Sequence, residues 1–256
     1  MLNYIKSELY RITHSATLYV IMLGFAVAPL LLNLMLFSFT ISNPDFAYST
    51  TSFSYSNIVA NPMFFCIAAL ILVFALYEGN KKNGNYRNIV ASGISREQIF
   101  IGQFVVCFIS SIVVMTITVA IYIFSAEFLL RKTGPVSFMD LLNEVSAVTP
   151  IAVSALILAI VVIMLFDKTF WGVVSWYSIL FLIPQMLFYL SLKIESLRSI
   201  AMWMPNNFFN RMEVNTIQSN PIWNTSSGLA TCLIAGFIGI VVFSILGIAA
   251  VRKKEL

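Results

Sequence analysis

The sequence predicts an all-α, polytopic membrane protein of six transmembrane helices, folded as a single transmembrane domain over residues 1–256. Three observations predict it. Six apolar runs, at 17–40, 57–77, 99–126, 145–166, 170–192 and 226–250, contain no Asp, Glu, Lys, Arg or His. Each reaches the roughly 20 residues that a helix needs to cross a bilayer, and a charge at the bilayer centre costs about 2.5–3.5 kcal/mol. Composition agrees: 59% of residues are hydrophobic and 10% charged, with mean hydropathy +0.90, where a soluble domain carries about 25% charged residues. The third observation is that Lys and Arg flank the runs. With both termini placed in the cytoplasm, ten of the 15 fall inside and five outside, the bias of the positive-inside rule.

Residues 1–15 precede the first run. Leu2, Ile5, Leu9 and Ile12 recur at helical spacing while Asn3, Lys6, Glu8 and Arg11 fall away from that stripe. This pattern predicts an amphipathic helix lying in the membrane interface. Ala26-Val27-Ala28 resembles a small-residue cleavage site, but the apolar run continues through Leu30–Phe39. It exceeds a signal-peptide core and predicts an uncleaved first span. Asn33 within it suits an interhelical hydrogen bond, worth about 0.6–2 kcal/mol.

An outer loop, Ile41–Ser56, rich in Ser, Thr and aromatics, leads to the second span at 57–77. A basic segment, 78–98, connects it to the third span, 99–126. The second outer loop, Glu127–Glu144, holds Gly134-Pro135 as a turn signal and predicts a short helix near Phe138–Leu142. Glu127 and Glu144, at span ends, are expected to be solvated. Asp167-Lys168-Thr169 is a tight turn that makes spans 145–166 and 170–192 a helical hairpin. The longest loop, Lys193–Thr225, carries Trp203, Pro205, Phe208, Phe209 and Trp223, which suit a compact cap at the outer interface. Pro62, Pro150 and Pro184 are candidate span breaks.

Several functions are disfavoured. The one histidine, His14, precedes the first span, and no nucleophile–base pair or carboxylate pair lies in the spans, so an intramembrane enzyme lacks its parts. Cys66, Cys107 and Cys232 all fall in apolar runs, without a CxxC or Cys/His cluster, which predicts neither metal nor disulfides. Gly79 to Gly84 has the GxxxxG spacing but is followed by Asn85-Tyr86 rather than Lys-Ser/Thr, so nothing there holds nucleotide phosphates or magnesium. Net charge +4 is spread along span flanks rather than in a stripe, which argues against nucleic acid.

The segment from Glu78 to Gln98 carries a signature. Tyr86, Ile89, Val90 and Ile94 form an apolar set at helical spacing, with Arg87 and Asn88 among them. Gly84 offers a turn, Gly93 breaks the short helix, and Ser95 followed by Gln98 has capping-box spacing for the next helix. The order Glu78, Lys81-Lys82, Gly84, Ile89-Val90, Gly93-Ile94-Ser95-Arg96 resembles the cytoplasmic loop of type-2 ABC transporter permeases, in particular bacterial exporter subunits of the peptide and antibiotic kind. Six spans, cytoplasmic termini and an N-terminal amphipathic helix match across the whole chain; the motif itself covers Glu78–Gln98. The chain has Asn83-Gly84-Asn85-Tyr86 where the family often shows Gly-Thr.

The resemblance implies a membrane-embedded permease that hydrolyses no ATP itself. ATP and magnesium would sit on a separate ABC ATPase subunit, and a second permease copy or paralogue would complete the assembly in a bacterial cell membrane. The short helix would be the coupling helix, with Tyr86, Ile89, Val90 and Ile94 as apolar contacts, Arg87 and Arg96 pairing with acids on the ATPase, and Glu78 holding the junction. Spans two and five would line the path, offering Asn61, Phe64 and Phe65, and Trp176, Gln185 and Tyr189. Aromatics with few polar groups suit an amphiphile such as a hydrophobic peptide, antibiotic or lipid. Two other readings stay open. A secondary transporter or channel would couple sodium through backbone carbonyls at broken helices, since no acid or histidine lies in the spans to carry protons. A membrane scaffold would need no coupled motor.

Overall fold

The computed structural model describes residues 1–43, 46–82, 85–209 and 222–253. Gly84, Arg211 and Lys254 lie outside the described residues, as do the side chains of Lys81 and Lys82. Twelve α-helices are described: α1 (Leu2–Thr13), α2 (Ala16–Ser42), α3 (Thr51–Val59), α4 (Phe64–Lys82), α5 (Asn85–Ala91), α6 (Arg96–Leu129), α7 (Phe138–Leu165), α8 (Thr169–Tyr177), α9 (Ile183–Ser191), α10 (Arg198–Trp203), α11 (Pro205–Phe209) and α12 (Ser226–Lys253). Five helical stretches are long and apolar enough to cross a membrane: α2, α6, α7, the continuous α8–α9 stretch and α12. The bent pair α3–α4 makes a sixth if counted as one span. Below, the near end of the bundle is the one that carries α1 and α5, and the far end is the opposite one.

Helix α7 is the centre. Its apolar stretch is 72% buried within the chain, against 6% for α2. α12 and α4 pack along it, and α8 folds back on it. α12 approaches closely because it presents small residues: a side-chain carbon on Gly236 would lie 2.3 Å from Pro150 Cβ, and one on Gly247 would lie 2.5 Å from Val161 Cγ2. Without a hydrophobic driving force between helices in lipid, such close van der Waals packing is a main source of association. α2 instead leans on α6, leaving most of its surface outward.

Three predicted boundaries are corrected. The stretch 57–77 is not one straight span. Helix begins at Thr51, inside the expected loop Ile41–Ser56, and the α3–α4 pair bends by 69° at residues 60–63. Pro62 supplies no backbone donor, and the residue before a proline is pushed away from helical torsions, so the break falls where physics puts it. The helix expected near Phe138–Leu142 is the opening of α7 itself, started by a Ser137–Asp140 capping box. Pro150 sits within α7 without ending it. Pro184 opens α9 just after a π-helical turn at Ser178–Leu182, the irregularity that absorbs a missing hydrogen bond.

At the far end, Asn33 of α2 is fully buried. Its amide donates to Ser125 Oγ at 2.7 Å and to the Tyr122 carbonyl at 3.2 Å, and its oxygen accepts from Ser54 Oγ at 2.7 Å. Tyr122 donates to the Ser54 carbonyl. One residue thus ties α2, α3 and α6. Asn33→Ala leaves these partners unsatisfied and is expected to lower stability by about 1–2 kcal/mol, read as a lower unfolding midpoint in mild detergent; an unchanged midpoint would remove Asn33 from that role. The cap expected in Lys193–Thr225 is folded in its described part. Phe208, Phe209 and Trp223 are buried and stacked edge to face, and Asn207 donates to the carbonyls of Pro184 and Ala201.

Candidate functional site

The near end assembles the predicted signature into a joint. α5 is a short helix set off from α6 by Gly93, whose φ of +89° is the left-handed conformation that side-chain-bearing residues resist. α6 then starts on a complete capping box: Ser95 Oγ accepts from the Gln98 amide at 3.3 Å, and Gln98 Oε1 accepts from the Ser95 amide at 3.1 Å. The turn and cap fix the angle at which α5 leaves the bundle.

Tyr86 is turned inward. It is 5% exposed, and its hydroxyl accepts from Gln103 Nε2 at 2.9 Å. This corrects its expected place on the contact surface: Tyr86 roots α5 in α6. Ile89, Val90 and Ile94 are half-buried and pack on the core from below, while Arg87 and Asn88 are exposed. The outward face of α5 is therefore more polar than its apolar spacing suggested.

α1 lies beside the same joint. Tyr4 fits against Gly102, where any side-chain carbon would lie 2.5 Å from the ring, so the glycine is a seat for the tyrosine. Glu8 and Arg11 pair at 2.7 Å, and the Arg11 guanidinium lies 5.4 Å from the centre of the Tyr77 ring. Burial raises the phenols of Tyr4 and Tyr86 well above their ordinary range, which keeps them neutral. Sequence reading missed Tyr4, Tyr77 and Gln103, because their common neighbourhood is created only by packing α1 and α4 against α6.

Two ties complete the near end. Glu78, at the last turns of α4, accepts from Thr169 Oγ1 at 2.6 Å, joining the route into α5 to the α7–α8 turn. Arg252 near the end of α12 meets Glu97 with a fork of 2.6 and 3.0 Å. Arg96 donates to the Arg252 carbonyl at 3.4 Å, so it has an intrachain partner in addition to any external one.

The expected path residues are not brought together. Phe65 lines a cavity of about 480 Å³ between α2, α4, α6 and α7. Gln185 and Tyr189 line a separate cleft of about 170 Å³ beside Asn206 and Asn207. Asn61 is exposed in the α3–α4 break and donates to the Asn57 carbonyl at 2.9 Å; Phe64 is 40% exposed. Trp176 is corrected outright: it is 1% exposed, and its indole donates to the Ala155 carbonyl at 2.9 Å, so it cements the α7–α8 hairpin.

Glu144 is a further correction. Expected in a solvated loop, it is fully buried within α7, and neither carboxyl oxygen has a hydrogen-bond partner. It is adjacent in sequence to the charge-free run, and only the continuation of α7 to Phe138 shows that it is inside. Among the described residues, no group of three His, Cys, Asp or Glu side chains is placed to hold a metal.

The family profile described as ABC-2 family transporter protein matches residues 4–184. That interval contains most of α1, the α3–α4 break, α5 with the capped junction that follows it, and the α7–α8 hairpin. No curated protein matches the chain. A match over well over half of the sequence, on a multi-span helical fold with a short helix and a capped junction between its second and third spans, leads to one conclusion: the chain belongs to the ABC-2 transporter family and is a multi-pass membrane permease of the type-2 ABC class, a class that works with an ABC ATPase subunit.

Proposed function

We propose that this permease exports an amphiphilic substrate, a hydrophobic peptide, antibiotic or lipid, using ATP hydrolysed with magnesium on a partner ATPase. Both termini and α5 face the cytoplasm of a bacterial cell, and a second copy or a paralogue completes the membrane unit. The observation that carries the reading is the mechanical construction of α5. It is a projecting helix with exposed Arg87 and Asn88, rooted through Tyr86 to Gln103 and held at a fixed angle by Gly93 and the Ser95–Gln98 box. Force applied to α5 passes directly into α6, and through the Glu78–Thr169 bond α4 is tied to α8. A loop that merely touched lipid headgroups would need no such seating.

The test is whether an ABC ATPase subunit co-purifies with the tagged chain in mild detergent, with transport and ATPase rate then measured in vesicles. Ile89→Asp is expected to abolish ATP-dependent transport while the protein still inserts. Arg87→Glu, at an exposed position, is expected to weaken ATPase co-purification about tenfold, the loss of one charge-assisted contact. Wild-type transport in Ile89→Asp, together with undiminished co-purification in Arg87→Glu, would remove α5 from the coupling role.

Ion-coupled transport is the second reading, favoured by Glu144, since a buried carboxyl in a membrane helix is a natural ion or proton site. Transport that persists when ion gradients are collapsed and stops when ATP is withheld separates the two.

A further inference from the structure

Three partnerless polar atoms meet at the near-end joint. The hydroxyls of Tyr4 and Tyr77 and the Oε1 of Gln103 have no hydrogen-bond partner. These residues are 7%, 0% and 0% exposed, and they come from three different helices, α1, α4 and α6. A fourth helix, α5, adds Tyr86, whose hydroxyl accepts from Gln103 Nε2 and so keeps its own proton to give. The four side chains form one group. Tyr4 lies within electrostatic reach of Tyr77, Tyr86 and the Gln103 amide, yet no direct bond closes between the Tyr4 hydroxyl, the Tyr77 hydroxyl and Gln103 Oε1.

Buried polar groups in folded proteins are paired almost without exception. Leaving three partnerless in one place costs more than immobilising one small molecule that serves all three. The inventory says which molecule. Two phenolic O–H groups need an acceptor and Gln103 Oε1 needs a donor, so the guest both accepts and donates. It is also uncharged. Two charged groups, Glu8 and Arg11, lie within electrostatic reach of both Tyr4 and Tyr77, and they pair with each other at 2.7 Å. A bare cation would meet the Arg11 guanidinium with no free carboxylate to offset it, and an anion would meet Glu8 and Gln103 Oε1. Water satisfies each demand. It accepts from Tyr4 and Tyr77 and donates to Gln103, and about three bonds is usual for a buried water.

We infer that the joint of α1, α4, α5 and α6 is a binding site for a structural water, held by Tyr4, Tyr77 and Gln103. The site is independent of what the permease carries and in which direction. It sets how the joint moves: α1 and α4 are tied to the α5–α6 root through a molecule that reorients as they shift, where direct side-chain bonds would have to break.

The test is synchrotron hydroxyl-radical labelling of the full chain in phosphatidylcholine nanodiscs, read residue by residue by mass spectrometry. Radiolysis of a bound water hydroxylates the side chains that touch it, buried or not. Label is expected on Tyr4 and Tyr77, several-fold above that on Trp176. Trp176 is the control because its ring is more reactive, it is 1% exposed, and its indole is already bonded to the Ala155 carbonyl. Tyr77→Phe supplies a second measurement. With water in place the variant loses a hydrogen bond, and its thermal unfolding midpoint in mild detergent is expected to fall by about 2–4 °C. In a dry joint the same change removes a partnerless hydroxyl and raises the midpoint. Tyr4 and Tyr77 labelled no more than Trp176, or a Tyr77→Phe midpoint at or above wild type, overturns the inference. So does a wild-type midpoint that rises with sodium or potassium at constant ionic strength, which would assign the site to a cation. If Tyr77→Phe does not fold, the wild-type label decides.

Discussion

Gly236→Ala is expected to unfold the bundle at its most closely packed crossing. A methyl group there would meet Pro150 Cβ at 2.3 Å, the Pro150 carbonyl carbon at 2.7 Å and the Ile151 nitrogen at 2.8 Å. Two of these are backbone atoms of the central helix, and the third belongs to a ring with no rotamer to escape into. α12 must therefore move away from α7, breaking the packing that association in lipid depends on. The cost is placed at about 3 kcal/mol or more, the upper part of the range for overpacking. Gly24→Ala is the control. Nothing lies within 4 Å of its added carbon, and the higher helix propensity of alanine makes it neutral or slightly stabilising. Unfolding midpoints in mild detergent decide: a Gly236→Ala midpoint equal to that of Gly24→Ala would show that the α7–α12 crossing adjusts freely. Gly239→Ala falls between, since its nearest neighbours are Ser154 Cβ and Oγ at 2.9 Å: the hydroxyl can rotate away, at the cost of its bond to the Ile151 carbonyl, while Cβ must be relieved by a small backbone shift.

Glu144→Met is expected to act in the opposite direction and raise the midpoint. Burying a polar group without a partner costs on the order of 1–3 kcal/mol, and both oxygens of Glu144 are in that state. Methionine has a similar length and bends to fit irregular space, so the replacement removes the penalty without opening a cavity. Glu144→Gln keeps the polar burden and is expected to leave the midpoint near wild type. Function reads out separately. If ATP drives transport, Glu144→Met retains it; if an ion gradient does, Glu144→Met loses it while becoming more stable. A lower midpoint for Glu144→Met would mean that the carboxyl has a stabilising partner and would refute its isolation.

Much of this was legible in the residues themselves. Charge-free runs located the apolar helices because a bilayer tolerates few buried charges, whatever the tertiary arrangement. The Ser95–Gln98 box and the Gly93 break were readable because caps and left-handed turns are local, each settled within four residues. Asn33 was recognised as an interhelical bond from its chemistry alone, although its partners Ser54, Tyr122 and Ser125 were not. The site was less readable. Helical spacing grouped Tyr86 with Ile89, Val90 and Ile94, but spacing does not say which side of a seven-residue helix meets the bundle, and Gln103 decided that for Tyr86. Trp176 looked like a path residue because an aromatic in a span is equally suited to lining and to packing; the Ala155 carbonyl resolved it.

The sequence by itself determined that this chain offers apolar runs long enough to cross a membrane, and where a short helix followed by a capped one interrupts them. These follow from one-dimensional quantities: run length, charge and local torsion. The tertiary structure alone decided which helix is central, that the second span bends by 69°, that Glu144 is enclosed, and that four helices leave an apolar cavity between them. Those outcomes depend on distances between residues as far apart as Gly236 and Pro150, and such distances are set by packing, which a run of letters does not carry.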